Sequence, residues 1–141
     1  AGLDQVEAVA LPMSSQARRL AQRFWPGPLT LVMRRSPDLP GLVTGGADTV
    51  AVRMPDHLVP IALARRLGRP ITGTSANLSG QPDLLDLGAL ETQLGNLVDH
   101  IIQSGPIPAG TASTIVDVTG DAPQLLREGA ISLQDILEAA G

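Results

Sequence analysis

Cysteine, lysine and tyrosine are absent from this 141-residue chain, and its aromatic residues are reduced to Phe24 and Trp25. Each absence removes a class of chemistry. Without cysteine there is neither a disulfide nor a thiolate metal ligand, and with only His57 and His100 to offer imidazole no metal site is expected. Both histidines read as structural or surface residues. With so few aromatic rings the chain offers almost no stacking platform for bases, and its core must be aliphatic. With no lysine, all ten basic residues are arginines, and a site that needs an ammonium cannot be built from this chain. Fourteen acidic residues leave a net charge of −4, which argues against a general electrostatic hold on nucleic acid. Neither a signal peptide nor a long apolar run is visible, so a soluble, cytoplasmic protein with no membrane partner is expected.

What is present is 43% hydrophobic, enough at this length for one globular domain with a real core. Ser14 or Ser15 can cap a helix in which Ala17, Leu20, Ala21 and Phe24 recur at helical spacing, with Arg18, Arg19 and Arg23 on the other side. Trp25-Pro26-Gly27-Pro28 stops it, and a strand follows over 29–33. A Pro/Gly loop over 36–46 leads to a strand over 50–53 that ends at Arg53, ahead of Pro55. Residues 58–67 read as a helix closed by Gly68, and 71–74 as a buried strand. A short helix over 87–94, a short strand over 100–102, strands over 115–118 and from 124, and a last helix capped by Ser132 with Asp135 complete the chain. Alternating strands and helices predict an α/β (α+β-like) class, a single domain with a twisted mixed central sheet flanked by helices.

Two loops of small residues carry the candidate chemistry. Pro70-Ile71-Thr72-Gly73-Thr74-Ser75-Ala76-Asn77-Leu78-Ser79-Gly80 leads from a short apolar start into hydroxyls and an amide with glycines either side, and Gly105-Pro106-Ile107-Pro108-Ala109-Gly110-Thr111-Ala112-Ser113-Thr114 runs directly into a strand. Short neutral donors and a backbone free of Cβ suit either a phosphate or carboxylate cradle or a plain turn. Thr30 either directs its hydroxyl at a ligand or pairs across the sheet. Arg53 is either a surface charge or a fork for an anion. If these are two walls of one crevice, Thr30, Arg53, Ser75, Asn77, Ser113 and Arg127 converge on it. No Ser–His–Asp arrangement can be argued from the loops, so no covalent nucleophile is assigned.

Five segments in order, Phe24-Trp25-Pro26-Gly27-Pro28-Leu29-Thr30, Val52-Arg53-Met54-Pro55-Asp56-His57, Thr74-Ser75-Ala76-Asn77-Leu78-Ser79-Gly80, Ser113-Thr114-Ile115-Val116-Asp117 and Leu126-Arg127-Glu128-Gly129-Ala130-Ile131, give the chain a resemblance to the YrdC family of threonylcarbamoyl-AMP synthases. The resemblance implies a nucleotidyltransferase that makes threonylcarbamoyl-adenylate and pyrophosphate from L-threonine, bicarbonate and ATP, with Mg2+, for the modification of tRNA. It implies ATP contacts at Thr30, Ser75, Asn77 and Arg127, and threonine or carbamoyl contacts at Arg53 and Ser113. RNA or tRNA-modification proteins are the macromolecular partners it suggests. The alternatives are an RNA-binding module of the same fold and a carbamoyl-transfer domain of a hydrogenase-maturation protein. The family also carries an upstream Lys-x-Arg motif that grips the triphosphate, and a chain without lysine lacks it. The expectation is a YrdC-like domain over 1–141 without the family's first ~50 residues, as judged from usual domain size, and inactive alone.

Overall fold

In the computed structural model the residues described are 1–78, 80–81, 84, 86–103 and 111–141. They form two compact units, Ala1–Ile71 with Thr111–Gly141, and Thr72–Gly110.

In the first unit a one-turn helix, α1 (Leu3–Val6), precedes α2 (Ser15–Phe24). The side chain of Ser14 accepts from the Ala17 N–H at 3.2 Å, satisfying one of the amides that a helix start leaves open. The apolar spacing then buries Ala17, Leu20 and Ala21 along one face. The prolines after Trp25 end the helix, and the buried indole N–H donates to the Leu29 carbonyl at 2.7 Å, fixing the corner from which β1 (Leu29–Arg34) leaves.

Along β1 the period of two sends Leu29, Leu31 and Met33 into the core and leaves Thr30 and Val32 half-buried on the opposite face. A 3-10 turn (Gly41–Thr44) leads to β2 (Thr49–Val52), antiparallel to β1, and then α3 (Leu58–Leu67). The His57 ring caps α3 by accepting from the Val59 N–H at 3.2 Å. After the second unit, β3 (Thr114–Asp117) lies parallel to β1, pairing Leu29 with Thr114 and Thr30 with Ile115. Last come β4 (Gln124–Arg127), antiparallel to β3, and α5 (Leu133–Ala140). The mixed four-stranded sheet has the order β2-β1-β3-β4, and α2 and α5 pack together with Ile136 and Ala140 buried. Leu20, Leu29, Leu31 and Ile136 are fully enclosed, and truncating any of them to Ala is expected to cost ~2–5 kcal/mol.

Within the second unit, α4 (Leu87–Leu94) is capped by Asp86, whose carboxylate accepts from the Ala89 N–H at 3.1 Å.

The α/β class with a mixed sheet flanked by helices is as expected, but two expected strands are not formed. Residues 71–74 and 100–102 carry no ladder pairing, and Ile71 is 42% exposed where a buried strand was expected. β-propensity measures fit to a pleated, half-buried surface, and neither stretch has a neighbouring strand to pair with among the described residues. Residue 79 of the first small-residue loop and residues 105–110 of the second lie outside the described residues. α1 and the 3-10 turn, each only four residues long, are too short to show a period in the sequence.

Candidate anion-binding site

Four of the six candidate residues belong to the first unit, and three of them form one hydrogen-bonded chain. Thr30 stands on the face of β1 away from the core, and its hydroxyl meets that of Ser113 at 2.9 Å. Ser113, buried just ahead of β3, takes three bonds from the Arg127 guanidinium: Nε and Nη2 donate to its carbonyl at 3.2 and 2.8 Å, and Nη2 to its hydroxyl at 3.1 Å.

Arg127 reaches that face because the β3–β4 register shifts. Ile115 faces Arg127, yet Val116 faces Leu125, so Leu126 is the additional residue. Without the shift Arg127 and Leu125, two residues apart, would share one side of the sheet. With it, Leu125 packs on the core beside Val116 while Arg127 turns to the side of Thr30 and Ser113.

Arg53 leaves the end of β2 and is held by the Gly27 corner. Its Nε donates to the Gly27 carbonyl at 3.0 Å, while the Gly27 N–H donates to the Met54 carbonyl at 2.8 Å. Only glycine fits there, because a Cβ would lie 2.3 Å from the Phe24 carbonyl oxygen. The next carbonyl, of Pro28, accepts from the Thr114 N–H at 2.9 Å, so a single corner anchors both Arg53 and the start of β3. The sequence assigns Gly27 to the corner that stops α2, without a part in the site. The signal was present in a glycine between two prolines just ahead of a strand.

Burial, and after it the charge of Arg127, lowers the pKa of Arg53 below its ordinary value. The two guanidinium groups therefore sense each other, and among the described residues neither is paired with a carboxylate. Two like charges fixed by neutral carbonyls and hydroxyls, with donors left over on Arg53, make a receptor for an anion.

Ser75 and Asn77 belong to the second unit. Ser75 is exposed. Asn77 Nδ2 donates to the carbonyls of Leu78 and Gln81 at 2.9 and 2.8 Å, closing its own turn, while its buried Oδ1 has no partner among the described residues. The amide nitrogen is thus spent on loop structure, and the oxygen is the atom left to meet a donor.

The mixed-sheet α/β fold thus carries a candidate anion site in Arg53 and Arg127, neither paired with a carboxylate among the described residues. Residues 1–129 match the Sua5/YciO/YrdC family, described as Telomere recombination, and the chain belongs to that family. It is 40% identical over 141 residues to the threonylcarbamoyl-AMP synthase of Pyrococcus abyssi, covering all of this chain and 42% of the relative. It is 40% identical over 142 residues to the Bacillus subtilis enzyme of the same name, covering all of this chain and 41% of that one. The crystal structure of P. abyssi Sua5 complexed with L-threonine superimposes with a TM-score of 0.91 at 40% identity, over 100% of this chain and 42% of the other. The chain thus spans less than half the length of these relatives.

Proposed function

We propose that this chain carries the threonine side and part of the nucleotide side of a threonylcarbamoyl-AMP synthase that serves tRNA modification in the cytoplasm. The observation that carries the reading is the pair Arg53 and Arg127, seated on the Gly27 carbonyl and on Ser113 and without a carboxylate partner among the described residues. Family membership and relatives named for this activity support it.

In this reaction the threonine amine takes up bicarbonate to give a carbamate and water. A carbamate oxygen then attacks the α-phosphorus of ATP, and the bond to pyrophosphate breaks. No enzyme nucleophile is needed, so the protein's work is positioning and charge stabilisation. Arg53 forks the threonine carboxylate, and Ser113 offers its hydroxyl beside it. Arg127 faces negative charge on the adenylate side, with Thr30, Ser75 and Asn77 as neutral contacts to ATP. Among the described residues no three His, Asp or Glu gather to hold a metal. Mg2+ enters on the triphosphate as part of the substrate, offsetting phosphate charge.

The test is pyrophosphate release by the protein produced from its complete reading frame, with ATP, L-threonine and bicarbonate omitted one at a time. Release that requires all three is expected. Release indifferent to threonine overturns the reading.

A further inference from the structure

Thr114 is fully buried at the start of β3, next to Ser113 but on the opposite, core face of the sheet. Its hydroxyl donates to the Ile131 carbonyl at 2.7 Å and accepts from the N–H groups of Ile131 and Gly129 at 2.9 and 3.1 Å. One proton and two lone pairs are all that a hydroxyl has, and here each is used. Packing gives no reason for it. The side chain shares its layer with Leu29 and Val116, where valine has the same shape and an equal liking for strands, so a hydroxyl buried there is explained only by what it bonds.

What it bonds is the segment that leaves β4 directly after Arg127. Gly129 lies so close to the start of β3 that an added Cβ would fall 2.3 Å from the Ala112 oxygen, and the Ala130 N–H donates to that oxygen at 3.1 Å. Thr114 ties down one end of this crossing while Ser113, its neighbour, receives Arg127 on the other face. The two contacts are one residue apart on rigid strand backbone.

We propose that Thr114 is a positioning residue for the anion site, fixing the backbone after Arg127 so that its guanidinium stays seated on Ser113. The inference deepens the functional reading, since it rests on Arg127 being a ligand-binding group. Thr114→Val deletes the hydroxyl at constant shape, and Thr114→Ser keeps the hydroxyl while losing a core methyl.

The first measurement needs no ligand. The Arg127 Nε–H signal, identified by its loss in Arg127→Lys, is followed by solvent exchange in the parent and both variants. Exchange at least about tenfold faster in Thr114→Val, with Thr114→Ser close to the parent, is expected, because one hydrogen bond is worth roughly a factor of ten. Equal exchange in Thr114→Val and the parent overturns the proposal, as does a folded Thr114→Ser that has lost the Arg127 signal. If Thr114→Val does not fold, amide exchange in the parent decides. Protected Gly129 and Ile131 amides support the clamp, and rapid exchange of both rejects it. The second measurement is pyrophosphate binding, expected to weaken about tenfold in Thr114→Val and to be rescued in Thr114→Ser. If no protein, parent included, binds pyrophosphate while the Arg127 signal behaves as expected, the nucleotide reading fails and the positioning role stands.

Discussion

Thr30 and Ser113 join their hydroxyls at 2.9 Å across 83 positions of sequence, and this contact ties the inner strand β1 to the residue on which Arg127 sits. Ser113→Ala removes the hydroxyl but leaves the backbone carbonyl, which keeps two of the three bonds from Arg127. The expected loss of stability is therefore modest, ~0.5–1.5 kcal/mol by urea denaturation. If the hydroxyl also meets the ligand, L-threonine binding falls by more than that stability change implies. Calorimetric titration beside the denaturation curve separates the two, and unchanged binding would remove Ser113 from the site.

Gly129 and Gly120 make a contrasting pair. A Cβ on Gly129 would meet the Ala112 oxygen at 2.3 Å and the Ser113 carbonyl carbon at 2.6 Å, all of it backbone, whereas a Cβ on Gly120 meets nothing within 4 Å. Gly129→Ala must push β4 away from the start of β3. A loss of at least ~2 kcal/mol is expected, against a change within ~0.5 kcal/mol for Gly120→Ala. Equal stabilities of the two variants would contradict this packing.

Asn77 uses its amide nitrogen twice on its own turn and keeps its oxygen unpartnered among the described residues. Asn77→Ala should loosen the turn, seen as faster exchange of the Gln81 amide, which donates to the Leu78 carbonyl at 2.9 Å. Asn77→Asp sets a carboxylate against two carbonyl oxygens and against any phosphate brought near. Nucleotide binding should therefore be weaker in Asn77→Asp than in Asn77→Ala, and the reverse order would argue that Asn77 does not face phosphate.

How much of this was legible depended on how local each cause was. The spacing of Ala17, Leu20 and Ala21 behind Ser14 is written within ten residues, and α2 formed where expected. The sheet partners are not local: Leu29 beside Thr114 follows from topology, and nothing in the run 71–74 reveals that it forms no ladder among the described residues. Within the site, Thr30, Arg53, Ser113 and Arg127 were named from motifs, but the device that aims Arg127 was not visible. A register shift at Leu126 is a property of two strands together, and Leu125-Leu126-Arg127 reads alike with or without it. Thr114 escaped for a different reason. It was read as one more small polar loop residue, although alternation from Val116 puts it on the core face, where a hydroxyl needs explaining.

The last prediction concerns what Arg53 recognises. Its lowered pKa comes from burial first and Arg127 second, and the sign matters. A cation whose folded-state pKa lies below its unfolded value holds its proton less tightly in the folded protein. Its charge is therefore a cost to folding at every pH below the folded value, relieved only as pH rises through that value toward the higher unfolded one. Between pH 6 and 8 Arg53 is fully charged and that cost is constant, so binding that depends on it should be flat with pH there. L-threonine and L-threoninamide differ only in replacing the carboxylate by a neutral amide, which isolates the pairing with Arg53. A charge-assisted contact is worth ~1.5–3 kcal/mol, so the parent should prefer L-threonine by roughly 10- to 150-fold. Arg53→Gln should lose most of that preference, yet unfold without ligand no more readily than the loss of one neutral hydrogen bond to Gly27 allows, because a repelling charge leaves with it. Titration calorimetry at pH 6, 7 and 8 checks all three points. A parent that binds acid and amide equally would show that Arg53 does not hold the carboxylate.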